Sequence, residues 1–139
     1  MEYQEKAKLL FNRGQNCSQA VVGAFSDIVS VDEDDLLKIA SSFGGGMGRM
    51  GEVCGALTGA FMVVGLLQGY AKPIERELKE KYYQKIADLA ERFRQEKGSI
   101  LCRDLLETNK NMAFPPGVKQ CEHLIQHAVL LVEEMINEK

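Results

Sequence analysis

One stretch constrains the fold of this chain more than any other. Residues 43–70 read FGGGMGRMGEVCGALTGAFMVVGLLQGY. A glycine-rich loop, Gly44-Gly45-Gly46-Met47-Gly48-Arg49-Met50-Gly51, runs through Glu52-Val53-Cys54 into a segment, 53–71, that carries no charge. Clustered glycine lets the backbone take positive φ and approach other groups closely. Beyond the loop, Leu57, Phe61, Val64 and Leu67 recur at helical spacing and no proline interrupts them. The expectation is a central apolar helix over roughly 52–71, with Cys54 in or near its first turn. A bilayer span is the competing reading. The run is at the short end for that role and is diluted by Gly55, Thr58, Gly59, Gly65, Gln68 and Gly69, so a buried helix is favoured. The Gly55/Gly59 and Gly65/Gly69 pairs let a neighbouring helix pack closely.

The rest of the chain reads as helices around that one. Ala7, Leu10 and Phe11 give residues 2–12 an apolar side, and Gly14 suits a left-handed cap. Asn16-Cys17-Ser18-Gln19 reads as a helix start close to a capping box, in a helix running to about Val29. Asp32-Glu33-Asp34-Asp35 places acid in the first turn of the next helix. Pro73 fits the first position of a helix over 74–97. Gly98-Ser99 breaks that helix and caps a short one ending near Asn109. A loop over 111–117 with Pro115-Pro116 then leads to a last helix over 118–138. No strand alternation, internal repeat or low-complexity tract is visible. The fold class is therefore all-α: a single-domain bundle, 1–139, of about six or seven helices around the central apolar one.

Composition narrows the function. With 139 residues, 45% hydrophobic and 27% charged, the chain suits one soluble domain with a sizeable core. A net charge of −3 gives no electrostatic reason to expect nucleic acid or an anionic membrane as partner. No apolar signal core opens the chain, and the expected location is the cytoplasm. Four cysteines are too few for a disulfide scaffold, and a reducing compartment leaves them free, metal-bound or redox-active.

Cys17, Cys54, Cys102 and Cys121 each follow a breaker or cap: Asn16, the 44–51 loop, Gly98-Ser99 and Pro116-Gly117. Helix starts favour thiolate. If the four converge, the expected field lowers their pKa and serves disulfide exchange or metal ligation. The bland alternative is that cysteine packs as a small hydrophobe. No Cys-x-x-Cys pair exists, so a thioredoxin-type dithiol and a zinc ribbon are both absent, and any pairing is made by the fold. His123 and His127, one helical turn apart, are candidate bases or ligands, though surface or structural roles are the commoner outcome. Arg49, Arg103 and Lys119 lie near cysteines in sequence and can support thiolates. The glycine loop lacks the Gly-Lys-Ser/Thr end of a phosphate loop and follows a helix, which argues against nucleotide binding.

The block Asn16-Cys17-Ser18-Gln19-Ala20, the GGGMGRMG run, the block Cys54-Gly55-Ala56-Leu57-Thr58-Gly59, and the later Cys102 and Cys121 together resemble the C-GCAxxG-C-C family of small redox-active proteins. CGALTG fits CGAxxG at every fixed position, and the resemblance covers nearly the whole chain. It implies a helical fold and a cysteine-based redox role, with Cys17, Cys54, Cys102 and Cys121 as site residues.

Three functions follow in order of preference. The first is thiol redox chemistry, thiol–disulfide exchange or electron transfer, with no cofactor and either a redox partner protein or a small thiol or disulfide as substrate. Cys54, read as accessible, is its preferred nucleophile, resolved by Cys17, Cys102 or Cys121. The second is a zinc or iron–sulfur site on the four thiolates, with His123 as substitute ligand. The third is a non-catalytic binding module mating with another chain, or with a second copy as a homodimer, through the Gly55/Gly59 face.

Overall fold

The structure is a computed structural model and describes residues 2–110 and 119–137. Among these it contains seven α-helices: α1 (Tyr3–Asn12), α2 (Cys17–Ala24), α3 (Glu33–Ala40), α4 (Gly55–Gln68), α5 (Arg76–Lys97), α6 (Cys102–Asn109) and α7 (Glu122–Asn137). A short 3₁₀ turn, Ser41–Phe43, links α3 to the glycine loop. The fold is all-α, as the periodicity predicts. The expected loop over 111–117 and the first residue and last residue of the expected final helix, 118 and 138, lie outside the described residues.

At the centre α2 packs against α4, with α1, α3 and α7 around them and α5 laid along α7. Phe25, Leu36, Leu57, Leu89, Phe93, Ile125 and Val129 are fully enclosed in one continuous apolar core. Gly59 sets how close the two central helices come. A methyl there would stand 2.9 Å from the Ser18 carbonyl oxygen and 3.0 Å from Val21 Cβ. The Gly55/Gly59 face is therefore covered by α2 of the same chain, which overturns its assignment to a partner chain. No helix among the described residues is long and apolar enough to cross a membrane.

Most helix ends lie where side-chain chemistry puts them. Gly14, at φ 107°, closes α1, and Gln15 N–H reaches back to the Leu10 carbonyl while Gly14 N–H bonds that of Phe11, a Schellman ending. Asn16 and Gln19 form the full capping box at 2.9 and 3.0 Å. Four ends are corrected, one of them the start of α7, which begins at Glu122 because 119–121 form a turn instead of helix. Helix α2 stops at Ala24 instead of near Val29. Phe25, Ser26 and Ile28 close tight turns on Val22, Gly23 and Phe25, while Phe25 stays buried and stacked on Tyr3. Helix α4 is Gly55–Gln68, shorter than 52–71, because Gly69 turns extended. Helix α5 begins at Arg76, so Pro73 precedes it instead of opening it.

Two features carry no periodic signal. Val53 and Leu101 form an isolated antiparallel bridge, in which Cys54 N–H donates to the Ile100 carbonyl at 2.7 Å and Cys102 N–H to that of Glu52 at 2.6 Å. The glycine loop is a left-handed turn. Gly45, Gly46, Met47, Gly48 and Arg49 run consecutively at φ 65°, 70°, 66°, 62° and 63°. Left-handed backbone costs an ordinary residue roughly 1–2 kcal/mol, so Met47 and Arg49 are held there by their surroundings. Hydrogen bonds from Met47, Arg49, Gly51 and Glu52 back to Phe43, Gly44, Gly45 and Gly46 hold the turn closed.

Candidate functional site: four thiols at four helix starts

Each cysteine begins a helix. Cys17 and Cys102 are the first residues of α2 and α6, Cys54 is the N-cap of α4, and Cys121 immediately precedes α7, its carbonyl accepting from Leu124 and Ile125. All four line one small cavity of about 80 Å³, closed by Gly45, Gly55, Leu105, Leu106 and Leu124. The fold thus brings together every cysteine that the sequence singled out.

The surroundings show how. Asn16 caps α2 and also donates from Nδ2 to the Ser41 carbonyl at 3.0 Å, tying the start of α2 to the turn before the glycine loop. Gln19 completes the box and donates to the Leu37 carbonyl at 3.1 Å. The Val53–Leu101 bridge sets Cys54 beside Cys102. Two glycines leave room for the sulfurs. A methyl at Gly55 would fall on Cys17 Sγ, and one at Gly46 would stand 2.6 Å from Cys102 Cβ. Within CGALTG, then, Gly55 makes space for another helix's thiol and Gly59 for another helix's backbone.

The electrostatics reverse the sequence expectation. Burial pushes the Cys54 thiol up to about 12, helped by the electrostatic influence of Cys17 and opposed by the backbone N–H groups of Ala56 and Leu57. Burial likewise lifts Cys121 to about 11, with Cys17 and then Cys102 adding repulsion, and it raises Cys102, again with Cys17 as neighbour. The helix ends do pull towards thiolate, but loss of water outweighs them. Cys54 is only 4% exposed. The expectation of an accessible, acidified Cys54 is therefore wrong in both parts. Cys17 is the one thiol that is an electrostatic neighbour of all three others.

Cys17 and Cys121, both half-buried, also line a second, outward cavity of about 520 Å³ with Phe11, Asn16, Ser41, Gly44, Gly45, Gly48 and Arg49. Cys17, Gly45 and Cys121 belong to both spaces and form the wall between them. Of the basic residues near cysteines, Arg49 reaches this outer cavity. Arg103 pairs with Glu52 at 3.5 Å, and Lys119 sits 5.0 Å over the Phe11 ring.

His123 and His127 are not brought to the thiols. They line a different cavity of about 540 Å³ with Lys97, Glu122, Gln126 and residues of α1. Burial, then Lys97, lowers the pKa of each. His123 Nδ1 lies 3.2 Å from Lys97 Nζ. Glu122, 4% exposed, escaped the sequence reading, since nothing in its local pattern marks a buried acid. All four thiols are free, with no pair at bonding distance. Among the described residues no group of three or more His, Cys, Asp or Glu side chains is placed to hold a metal ion.

Fold and site together define an all-α protein with four thiols gathered at helix starts. The family model described as "Putative redox-active protein (C_GCAxxG_C_C)" matches residues 15–135, and the chain belongs to that family. It is also 29% identical to an uncharacterized protein of Archaeoglobus fulgidus, over 93% of this chain and 92% of that one. No solved structure matches it.

Proposed function

We propose that the protein is a thiol–disulfide exchange protein in which Cys17 meets the substrate and Cys121 resolves it. The observation that carries the reading is the convergence of four free thiols on one 80 Å³ cavity, with Cys17 and Cys121 alone among them also facing the outer cavity. Exchange needs a thiolate that can reach a disulfide. Cys17, as thiolate, attacks one sulfur of a substrate R–S–S–R. The Cys17–S–S–R bond forms and RS⁻ leaves. Cys121 then attacks Cys17 Sγ, its proton passing to the second departing RS⁻. Two protein thiols are oxidised, one substrate disulfide is reduced to two thiols, and no further oxidant is involved. The raised pKa of Cys121, Cys54 and Cys102 suits this order, because the waiting thiols stay protonated until a disulfide is delivered beside them.

The test is reaction of the reduced chain with a small disulfide, followed by mass mapping. The expected product has lost two thiol hydrogens at Cys17 and Cys121. Cys17→Ser is expected to abolish exchange, and Cys121→Ser to leave the substrate half trapped on Cys17. Exchange at full rate in Cys17→Ser would overturn the assignment. A bridge mapped from Cys17 to Cys54 or Cys102 would move the resolving role inward.

A further inference from the structure

The outer cavity has a chemical bias. Among the described residues Arg49 is the only charged one in its lining. No acid among the described residues lines it, although the chain carries a net charge of −3. Other cavities carry acid: Glu2, Glu5 and Glu122 beside the histidines and Lys97, Asp88 beside Arg92, and Glu2, Asp27 and Glu133 around Tyr3 with no base among them. Arg49 has no ion-pair partner among the described residues.

Its position is built by the loop. Arg49 is held left-handed at φ 63°. Its side chain leaves across Gly45, where a methyl would stand 2.7 Å from Arg49 Cγ and 3.0 Å from Arg49 Cα. Gly45 is also part of the wall that carries Cys17 and Cys121 between the two cavities. The stem of the Arg49 side chain thus lies directly against a residue of the wall that carries the two thiols. A guanidinium offers a planar fork of donors that matches a carboxylate and stays charged at every working pH. A volume of about 520 Å³ falls in the range that encloses small molecules.

We infer that the outer cavity selects small disulfides bearing a carboxylate, and that Arg49 is the residue that recognises it, holding the disulfide against Cys17. The inference rests on the thiol-exchange reading, and the exchange itself is the step written above. The carboxylate pairs with Arg49 while the substrate sulfur accepts attack, and nothing else changes in the balance.

The experiment uses the full reduced chain and three symmetric aliphatic disulfides: dithiodipropionate (anionic), hydroxyethyl disulfide (neutral) and cystamine (cationic). Acid-quenched mass spectrometry reads the rate of mixed-disulfide formation at Cys17. Dithiodipropionate is expected to react fastest and cystamine slowest, with the anionic probe ahead of the neutral one by about tenfold, the scale of one charge-assisted hydrogen bond. Arg49→Gln is expected to remove the gap between the anionic and neutral rates. Arg49→Lys, which keeps the charge and loses the fork, is expected to keep part of the preference. In the unaltered chain, added salt is expected to slow the anionic probe and spare the neutral one, a reading that requires no variant to fold. Equal rates for the three probes, or an equal slowing of all three by Arg49→Gln, would overturn the role of Arg49. A fast reaction with an acidic peptide disulfide but none with dithiodipropionate would overturn the small-molecule assignment. Failure of every disulfide to react would remove the thiol-exchange reading itself, a separate outcome.

Discussion

Helix α7 begins between two cavities, and they treat their titratable groups in opposite chemical senses for one physical reason. On one side Cys121 joins Cys17, Cys54 and Cys102 around an 80 Å³ space walled by leucine and glycine. On the other, Glu122, His123 and His127 border a 540 Å³ space among lysine, glutamate and glutamine. Burial raises the thiols Cys54, Cys102 and Cys121 and lowers the imidazoles His123 and His127. In each case the neutral form is favoured. A protonated thiol is a poor nucleophile, whereas a neutral imidazole keeps a lone pair. The same helix field reaches both regions, so the contrast shows that access to water, more than the helix end, decides what these groups can do.

The sharpest break in the comparison comes at alkaline pH. Cys54 rises from 9.0 to about 12, so the folded state keeps a proton that the unfolded chain gives up. Stability from this group is complete below about pH 9 and is lost as pH climbs towards 12. At about 1.4 kcal/mol per pH unit, the loss reaches about 4 kcal/mol. Urea titrations of the unaltered chain and Cys54→Ala, compared pH by pH, isolate it. The parent is expected to be more stable near neutrality by about 1–2 kcal/mol, the cost of a small cavity, and to lose that lead as pH rises above 9. A constant difference across the range would mean that Cys54 is not held neutral by burial. The same cause is expected to make alkylation of Cys54 at pH 8 about a thousandfold slower than that of an ordinary thiol.

A second break is steric. Gly55→Ala places a methyl on Cys17 Sγ and 2.8 Å from the Phe43 carbonyl oxygen. Overpacking of this kind costs about 1–3 kcal/mol, and here it displaces the thiol shared by both cavities. Gly98→Ala is the control. Gly98 has nothing within 4 Å and only its φ of 92° to lose, a penalty of about 1 kcal/mol. Denaturant midpoints together with Cys17 exchange rates separate the two. Gly55→Ala is expected to lower both, Gly98→Ala the midpoint alone. An unchanged Cys17 rate in Gly55→Ala would mean that this glycine is not what seats the sulfur.

How much of this was legible in the sequence follows from the range of each interaction. The helices, the capping box at Asn16 and Gln19, the Gly14 ending and the placement of four cysteines at helix starts are local, and residues three or four apart announce them. Convergence of the cysteines is not local; the sequence poses it only as a condition, and the structure meets it. The balance of forces at the site differs from what local sequence implies. The sequence gives the helix dipole at Cys54 but not the leucines and glycines that exclude water from it. The Val53–Leu101 bridge is too short for an alternating pattern, and its pairing spans the whole of α4 and α5. The left-handed turn is foreshadowed by its glycines, yet Met47 and Arg49 share it through hydrogen bonds that no residue preference encodes. The Gly55/Gly59 face has the composition of an interface, and composition alone does not say whether the mate is α2 or another chain.

The smallest break lies at acid pH and belongs to the other cavity. Burial, with Lys97 beside them, lowers His123 and His127, so the unfolded chain takes up protons that the folded one resists. Their stabilising contribution is complete above the ordinary imidazole pKa of about 6.5 and is lost as pH falls through their lowered folded values. Both rings keep partial contact with solvent, so this limb is expected to be shallower than the alkaline one. His127→Gln keeps hydrogen-bonding capacity without a titrating group and is expected to flatten the acid limb while leaving the alkaline limb untouched. Cys54→Ala is expected to do the reverse. Crossed effects, with His127→Gln changing the alkaline limb or Cys54→Ala the acid one, would mean that the two cavities share one electrostatic environment across the start of α7. Independent limbs would mean that a single helix start serves two sites whose protonation is set separately, each by its own exposure to water.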